Sequence, residues 1–305
     1  MINYRVAAYI TAYKDEQAVK KCLQGIKQQS HPVEKVFILD NSPAPIVSPQ
    51  NNYLLIKHCP NNLGIGAGLS MALAWAIEAE YDFLWSFDQD SYPTQNCLEI
   101  LLISYQELVL ANYSIGIIAA TPIDTRSKQT IGGAMYNGET FIENKPNGKI
   151  EPYQCDAPIT SGSLVSLSAA QTIAPPKAEL FIDGIDFDYG MRLKQKEFDN
   201  FIVPKAIMHH NFGNPVQVIF LGKKKTIHQY SALRRYYICR NHTYLETRYA
   251  QGWHRIISTL ERLKFMLKQI IAILIYDPEQ TLTKVWACLI GTYDGLIGKL
   301  GKTWH

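Results

Sequence analysis

The first part of the chain alternates short apolar runs with segments of helical periodicity. Apolar runs rich in β-branched residues are typical of buried strands, whereas apolar residues that recur every three or four positions indicate helices. Strands are predicted at residues 5–10, 36–39, 53–56, 83–87 and 115–120, and helices at 16–28, 69–79 and 98–110. This alternation predicts an α/β fold with a mostly parallel, Rossmann-like sheet and helices on both faces.

The pattern changes twice in the second part of the chain. Residues 124–159 are rich in Gly, Asn, Pro and Thr, which favours loops and short antiparallel pieces, and residues 161–206 read as a compact α/β segment. Helical periodicity then dominates at residues 230–250, 255–276 and 283–300. We therefore predict an α/β domain at residues 1–229 and a C-terminal helical region at residues 230–305.

Composition and charge narrow the class of protein. The 305 residues are 47% hydrophobic and 19% charged, with a net charge of +3, which fits a soluble globular protein and gives no reason to expect a nucleic-acid partner. The six cysteines show no metal-ligand spacing, so reduced thiols in a cytoplasmic protein are the simplest interpretation. Nothing at the start of the sequence predicts a cleavable signal, and no apolar run is long enough to span a bilayer.

Short motifs that contain polar or acidic residues follow three of the predicted strands. They are Thr11, Ala12 and Tyr13 after the first strand, Asp40 after the second, and Asp88, Gln89 and Asp90 after the fourth. Parallel sheets bind ligands at the carboxyl ends of their strands, so these residues should face one crevice. The two carboxylates repel each other unless a hard divalent cation lies between them, and such an ion can bridge the phosphates of a nucleoside diphosphate. The alternative is an ordinary strand-end turn, where Asp is common.

A glycine-rich stretch at residues 61–68 precedes a predicted helix. It contains Asn62, Gly64, Gly66 and Gly68. Its spacing is not that of the dinucleotide-binding fingerprint, and no acidic residue follows at the required place. The glycines would still allow a phosphate or a sugar hydroxyl to approach the start of the helix. A plain helix N-terminus with a flexible entry is the competing interpretation.

Three acids lie close together at residues 183–188. An attacking hydroxyl needs a general base, such as a carboxylate, within hydrogen-bond reach, and Asp186 is the first candidate for this role, with Asp183 second. Asp188 precedes Arg192 by four residues, so a helical ion pair is its expected role. Further on, His210 opens a glycine turn and could complete a metal shell through its neutral imidazole, although a lone histidine is more often structural.

Taken in order, these motifs resemble the family 2 glycosyltransferases, in particular the rhamnosyltransferase and galactofuranosyltransferase branch of bacterial surface-polysaccharide synthesis. The set comprises Thr11-Ala12-Tyr13, Asp40-Asn41-Ser42, Asn62-Leu63-Gly64, Phe87-Asp88-Gln89-Asp90-Ser91, Ser161-Gly162-Ser163, Asp186-x-Asp188 with Arg192, and His210-x-x-Gly213. The Arg235-Tyr236-Tyr237 segment with Arg240-Asn241, and the tail around residues 294–298, resemble the same branch. The resemblance covers nearly the whole chain.

The resemblance implies a GT-A fold followed by C-terminal helices, and an inverting transfer of a sugar from a dTDP- or UDP-sugar to a glycan or lipid-linked glycan. It implies Mg²⁺ or Mn²⁺ as cofactor, bound by Asp90 and His210 with Asp88 beside the ribose and diphosphate. Donor contacts are implied for Thr11, Ala12, Tyr13, Asp40, Asn62, Gly64, Asp88, Gln89, Asp90 and Ser163. It further implies Asp186 as the base, and Asp183 or Arg240 near the acceptor or diphosphate. dTDP-rhamnose is the first expectation for the donor, followed by UDP-galactofuranose or another UDP-hexose.

Two other functions compete with this expectation. A nucleotidyltransferase also uses paired Asp on a Rossmann-like sheet, but it should carry a Gly- and Lys/Arg-rich triphosphate loop, which residues 11–16 lack. A non-catalytic protein that binds nucleotide sugars or glycans would keep the fold, but it would have no need of the acids and His210.

The helix predicted at residues 255–276 carries a broad apolar face edged by Arg262, Lys264 and Lys268. An amphipathic basic helix of this kind can lie on an anionic membrane surface. Packing against its own domain or against a second subunit is the alternative. The sequence thus predicts either a peripheral position on the inner face of the plasma membrane, or packing of this helix on its own domain or on a second subunit of a homo-oligomer.

Overall fold

The computed structural model describes residues 4–48, 52–146, 148, 150–220 and 223–304. The chain forms two compact units that alternate along the sequence. Unit 1 comprises Met1–Met135, Glu143–Ala178 and Ile185–Asn211, and unit 2 comprises Tyr136–Ile142, Glu179–Gly184 and Phe212–His305. The domain boundary after residue 229 stays a prediction. Residues 1–3, where a cleavable signal would begin, and residue 305 lie outside the described residues.

Unit 1 is built on a nine-stranded sheet. Its strands are β1 (Val6–Ala12), β2 (Lys35–Asp40), β3 (Leu54–His58), β4 (Phe83–Asp88), β5 (Tyr92–Pro93), β6 (Ile115–Asp124), β9 (Tyr153–Gln154), β10 (Ser163–Ser166) and β11 (Asp199–His210). Their order in the sheet is β3-β2-β1-β4-β10-β6-β11-β5, and β9 pairs with β11. β1 lies parallel to both β2 and β4, and β11 parallel to β6, whereas β10 and β5 run antiparallel to their neighbours. The predicted α/β fold with a mostly parallel sheet is confirmed.

Helices cover both faces of this sheet. They are α1 (Glu16–Lys27), α2 (Gly64–Glu78), α3 (Cys97–Leu110), α4 (Leu167–Ala170) and α5 (Ile185–Lys194). The even-numbered β1 residues from Val6 to Ala12 share one apolar core with buried side chains of α1 and α3. On the other face, the ring of Tyr9 contacts Phe37 of β2, and Phe37 contacts Trp75 of α2. Because successive strand residues point to opposite faces, β1 is buried along almost its whole length.

Unit 2 is largely helical. Its helices are α6 (Ala232–Tyr249), α7 (His254–Tyr276) and α8 (Thr281–Ile297), and it also holds the hairpin of β12 (Pro215–Phe220) and β13 (Lys223–His228). Ser231 caps α6, because its side chain accepts a hydrogen bond from the backbone N–H of Arg234. Cys239, Ile273 and Cys288 form a buried cluster that joins the three helices. Two further short strands, β7 (Gly133–Tyr136) and β8 (Phe141–Asn144), lie in the stretch predicted as short antiparallel pieces.

The start of α2 differs most from the expected element, because the helix begins at Gly64 and not at residue 69. Glycines weaken a helix, so the periodicity alone placed the start too late. Close packing explains why they are there. A Cβ at Gly68 would lie 2.0 Å from the hydroxyl oxygen of Tyr9, and a Cβ at Gly66 would lie 2.6 Å from the carbonyl oxygen of Lys177. Only glycine fits this first turn without a shift of the neighbouring strand and loop.

Candidate active site

The acidic motif lies at the carboxyl end of β4, next to the carboxyl end of β11. Asp88 is the last residue of β4, and the N–H of Ser91 donates to its carbonyl oxygen across 3.1 Å, which closes a tight turn that carries Asp90. The chain leaves this turn directly into β5, which pairs with β11 so that His209 lies opposite Tyr92. The pairing brings His210, the last residue of β11, beside the turn.

Asp88, Asp90 and His210 form a cluster with the geometry of a metal site. One ligand atom from each residue lies within 4.8 Å of the others. Nδ1 of His210 is 3.5 Å from Oδ1 of Asp90, and the two side chains are 10% and 34% exposed. Two carboxylates and an imidazole are ligands that divalent cations accept, and the partial exposure leaves room for further oxygen ligands.

The electrostatics of Asp90 also fit a cation. The pKa of this carboxyl is raised to about 6, mainly by burial; the charge of His210 opposes the rise and the nearby Asp88 adds to it. A carboxylate in this position lacks enough positive charge around it to stay ionised at low cost. The residues present therefore fit a divalent metal ion.

Two serines that the motifs contain but that were not assigned a role hold His210 in place. The Ser91 hydroxyl lies 2.7 Å from Nδ1 of His210, and the Ser161 hydroxyl donates to Ser91 across 2.7 Å. Ser161 in turn accepts a hydrogen bond from the backbone N–H of Asp88. This chain of contacts links a ligand residue on β11 to one on β4. The only sequence signal for it was the position of both serines inside the resemblance motifs.

Arg126 is a second residue that the sequence did not indicate. Its positive charge lowers the pKa of Asp90, against the larger effect of burial. Asp124 holds this arginine: Nη2 of Arg126 lies 3.4 Å from Oδ2 of Asp124, and the Arg126 N–H donates to Oδ1. Arg126 follows β6 in a loop-rich stretch with no periodicity, so no pattern pointed to it.

The motif after β1 is joined to the acidic turn by Gln89. The Gln89 side chain accepts from the backbone N–H of Tyr13 at 2.6 Å and donates to the Tyr13 carbonyl at 3.0 Å. Thr11 shares a hydrogen bond with Tyr9, and Ala12 is buried. The Tyr13 ring is 41% exposed. The structure thus uses the Gln89 amide to position Tyr13, while the donor contacts expected of these residues stay predictions.

Asp40 lies buried at the end of β2. Its two carboxylate oxygens accept hydrogen bonds from the backbone N–H groups of Ser42, at 3.0 Å, and Ile46, at 2.8 Å. The carboxylate therefore shapes the loop that follows β2. Its expected contact with the donor base or ribose is untested.

The remaining donor candidates lie at the start of α2 and on β10. The Asn62 side chain accepts from the N–H of Gly64 at 3.0 Å, and both residues have positive φ. The Ser163 hydroxyl donates to the carbonyl of Ile159 at 2.6 Å, so its first role is in the loop before β10. Donor contacts for Asn62, Gly64 and Ser163 also stay predictions.

Asp186 and Asp188 occupy the first turn of α5 with different surroundings. Asp188 is fully buried, and its oxygens receive Lys177 at 2.6 Å and Arg192 at 2.7 Å. The ion pair expected between Asp188 and Arg192 is therefore present. Asp186 is half-buried, and its Oδ1 accepts from the N–H of Phe187. The general-base role of Asp186 stays a prediction.

The two acceptor candidates, Asp183 and Arg240, belong to unit 2 and have structural contacts there. Burial alone would raise the pKa of Asp183, but Arg234 and His242 hold it below its ordinary value. The Arg240 guanidinium is buried and donates to the carbonyl oxygens of Glu179, Leu180 and Gly301. These contacts give Arg240 a structural role within unit 2, which supplies no support for a diphosphate contact.

Part of the chain matches a known protein family in sequence. Residues 8–159 match the sequence model of glycosyl transferase family 2. Among curated proteins, none matches the chain in sequence. The match spans β1 to β9, and so it includes the turn that carries Asp88 and Asp90.

Solved structures show the same fold at low identity. The crystal structure of TarS 1–349 from S. aureus has a TM-score of 0.55 and 13% identity, over 95% of this chain and 80% of that chain. The same TarS segment in complex with UDP has a TM-score of 0.51 and 11% identity, over 97% and 92% of the two chains. GalNAc-T7 with UDP, GalNAc and Mn²⁺ has a TM-score of 0.55 and 12% identity, over 89% of this chain and 58% of that chain. Residues 8–159 are therefore similar in sequence to glycosyl transferase family 2, and the chain has the GT-A fold of these structures.

Proposed function

We propose that the chain is a metal-dependent, inverting glycosyltransferase that moves a sugar from a nucleoside-diphosphate donor to a hydroxyl of a glycan or lipid-linked glycan. The observation that carries this proposal is the cluster of Asp88, Asp90 and His210 at the ends of β4 and β11, in a chain whose residues 8–159, which include the two acids, match the family 2 model. Mg²⁺ or Mn²⁺ bound there would neutralise charge on the departing nucleoside diphosphate.

Each residue of the cluster has a distinct task in this proposal. Asp90 and His210 hold the metal, and Asp88 completes its shell or contacts the ribose and diphosphate. Ser91 fixes the orientation of the His210 ring, so that the imidazole presents one nitrogen to the site. Gln89 keeps Tyr13 at the edge of the same crevice, where its exposed ring can lie against the donor.

Asp186 is the proposed general base. It would accept the proton of the acceptor hydroxyl as that oxygen attacks the anomeric carbon, and a single displacement of this kind inverts the configuration there. Base assistance accounts for a rate factor of about 10²–10⁴. Asp186 is the only acid at this point of the motif, since Ile185 precedes it.

The donor is proposed from resemblance and from the similar structures. The motifs resemble the rhamnosyltransferase branch, which favours dTDP-rhamnose and places UDP-galactofuranose or another UDP-hexose second. UDP is present in the TarS and GalNAc-T7 structures named above, which supports testing UDP-sugars alongside.

Hydrolysis of a nucleotide-sugar panel tests the proposal. The purified protein is incubated with dTDP-rhamnose, UDP-galactofuranose and UDP-hexoses with Mg²⁺ or Mn²⁺, and free nucleoside diphosphate is measured by chromatography. One donor should be turned over with metal and not with chelator. Asp90→Asn should lose this activity, whereas the control Glu107→Gln, on the exposed side of α3, should keep it.

A non-catalytic nucleotide-sugar-binding protein gives a different result. In that case UDP or dTDP with Mn²⁺ raises the melting temperature, because a ligand that binds only the native state stabilises it. No donor would then be consumed, with or without an added glycan acceptor. Metal-independent turnover, or the absence of any nucleotide effect, would contradict the proposed function itself.

A further inference from the structure

The outer face of α7 is apolar and exposed. Leu260, Leu267 and Leu274 recur every seven residues, so they lie along one stripe of the helix. Their side chains are 52%, 54% and 62% exposed. A surface helix of a globular protein normally turns such a stripe toward its own core.

The outer face of α8 has the same character. Leu282, Trp286 and Tyr293 follow the spacing of one helical stripe, and their side chains are 84%, 56% and 58% exposed. α7 and α8 are consecutive, and both contribute to the buried cluster with α6 on their inner sides. We name the exposed apolar stripes of these two consecutive helices together the α7–α8 face.

The inner sides of these helices hold several buried charged residues. Arg262 of α7 pairs with Glu246 of α6 at 3.4 Å, and both are buried. Asp277 accepts Arg235 at 3.1 Å and Lys284 at 2.6 Å, again with all three side chains buried. Unit 2 thus buries ion pairs while it leaves large apolar side chains in solvent. Large apolar side chains exposed along a helix stripe in this number mark an interaction site.

The charges around the α7–α8 face identify its occupant. Arg255, Lys264 and Lys268 of α7 are exposed, against one acid of that helix, Glu261. The charged residues of α8 are buried, so its outer stripe carries no charge. Lys264 and Lys268 border the apolar stripe, where their alkyl stems can lie on apolar surface while the ammonium groups reach anionic headgroups. A second copy docked through the same face would bring two cationic edges together.

We propose that the α7–α8 face lies on an anionic lipid surface and anchors the protein there peripherally. In the described part of the chain, no helix has the length and apolar character needed to cross a bilayer, so the helices would lie along the surface. The inference rests on unit 2 alone and does not depend on the glycosyltransferase assignment.

Vesicle co-sedimentation tests the inference. The full-length protein is mixed with vesicles of phosphatidylcholine alone, or of equal parts phosphatidylcholine and phosphatidylglycerol, at low and at high salt. Binding is expected only to the anionic vesicles and should weaken at high salt, since exposed charges are screened. Equal binding to both compositions, or binding to neither, overturns the proposal.

Two kinds of variant separate the apolar and cationic contributions. Leu267→Glu should abolish binding, whereas Leu110→Glu, at an 83% exposed leucine ending α3, should not. Lys264→Gln and Lys268→Gln should each lower the partition coefficient about fivefold, equivalent to ~1 kcal/mol per cation. These two lysine variants also test the proposal if Leu267→Glu misfolds, because they change only exposed side chains. Light scattering that shows a dimer dissociated by Leu267→Glu, without vesicle binding, would assign the face to a second copy and overturn the lipid proposal.

Discussion

Oδ1 of Asp90 lies 3.5 Å from Nδ1 of His210, although the two residues are far apart in the sequence. Both are held by the sheet: Asp90 sits in the turn after β4, and His210 ends β11. The short strand β5 follows that turn in the chain and pairs with β11, and this pairing fixes the distance between the two residues. A site built at strand ends in this way is preorganised, so single-atom changes at its ligands should change binding without changing the fold.

Replacement of Asp90 by asparagine tests the metal site most directly. The substitution keeps the size of the side chain and removes the charge, so Mn²⁺ affinity should fall by roughly 100-fold or more, beyond the effect of a typical outer-shell change. Isothermal titration with Mn²⁺ measures this loss. Glu107→Gln provides the control for removal of an acid elsewhere in unit 1. Unchanged Mn²⁺ affinity in Asp90→Asn would remove Asp90 from the site.

Ser91 should affect the affinity of the site for Mn²⁺, although Ser91 is not itself one of the proposed ligands. Without its hydroxyl, Nδ1 of His210 loses the partner at 2.7 Å that orients the ring. Ser91→Ala is therefore expected to weaken Mn²⁺ binding by about 10–100-fold, with the melting temperature of the metal-free protein little changed. Ser168→Ala, at an exposed serine of α4, should have no effect. Equal affinities for the two variants would show that the His210 ring does not need Ser91.

Metal binding should depend on pH through Asp90. Its pKa lies at about 6, above the ordinary 3.8, so the folded protein holds this proton more tightly than the unfolded chain does. For the metal-free protein, this group favours folding below about pH 4, and that contribution is lost as pH rises through 6. Binding of a cation requires the ionised form. The Mn²⁺ dissociation constant should therefore rise about tenfold per pH unit below pH 6.

His210 allows this pH effect to be assigned. The His210 ring lowers the pKa of Asp90 when it is protonated and is a metal ligand when it is neutral, so His210→Gln should bind Mn²⁺ more weakly and should move the midpoint of the pH dependence upward. Titrations from pH 5 to 8 measure both quantities. A midpoint that disappears in this variant would mean that His210, and not Asp90, is the titrating group.

The sequence predicted those parts of the site that follow a strong local pattern. Asp88 and Asp90 come directly after an apolar run, and the end of a buried strand in a parallel sheet is where ligands bind. The helices of unit 2 were also predicted closely, because long apolar periodicities are reliable signals. The position of His210 beside the acids depended on resemblance, since periodicity does not reveal which strands pair.

Other features carry no local signal. β5 consists of only Tyr92 and Pro93, too short for any periodicity, yet it connects the acidic turn to β11. Arg126 lies in a stretch without regular spacing, and its approach to Asp90 depends on the tertiary fold. The structural use of Arg240 was equally hidden, because its partners are backbone carbonyls distant in sequence.

The close approach of α2 to β1 predicts a stability effect at Gly68. In Gly68→Ala the new methyl group would lie 2.0 Å from the Tyr9 hydroxyl oxygen, so the helix or the strand must shift. We expect a loss of about 1–3 kcal/mol in the free energy of unfolding, the usual range for overpacking. Urea denaturation measures it. Tyr9→Phe in the Gly68→Ala background removes the clashing oxygen and should recover part of the loss. A fully stable Gly68→Ala variant would instead favour the flexible-entry interpretation.

Asp186 and Asp188 offer a matched pair for separating chemistry from stability. They lie two residues apart in the first turn of α5 and have the same side chain, yet only Asp188 is buried between two cations, Lys177 and Arg192. Asp188→Asn leaves those cations without their partner and should lower the free energy of unfolding by about 3–5 kcal/mol.

Asp186→Asn should behave in the opposite way. Its half-buried carboxylate can be replaced by an amide with little change in stability, but the amide cannot accept a proton from the acceptor. We expect transfer to slow by about 10²–10⁴-fold, with Mn²⁺ and nucleotide affinities close to those of the parent protein. Urea denaturation, Mn²⁺ titration and a transfer assay on both variants separate the cases. Full transfer activity in Asp186→Asn would exclude it as the base, and the catalytic carboxylate would then have to be sought among the other acids of the site.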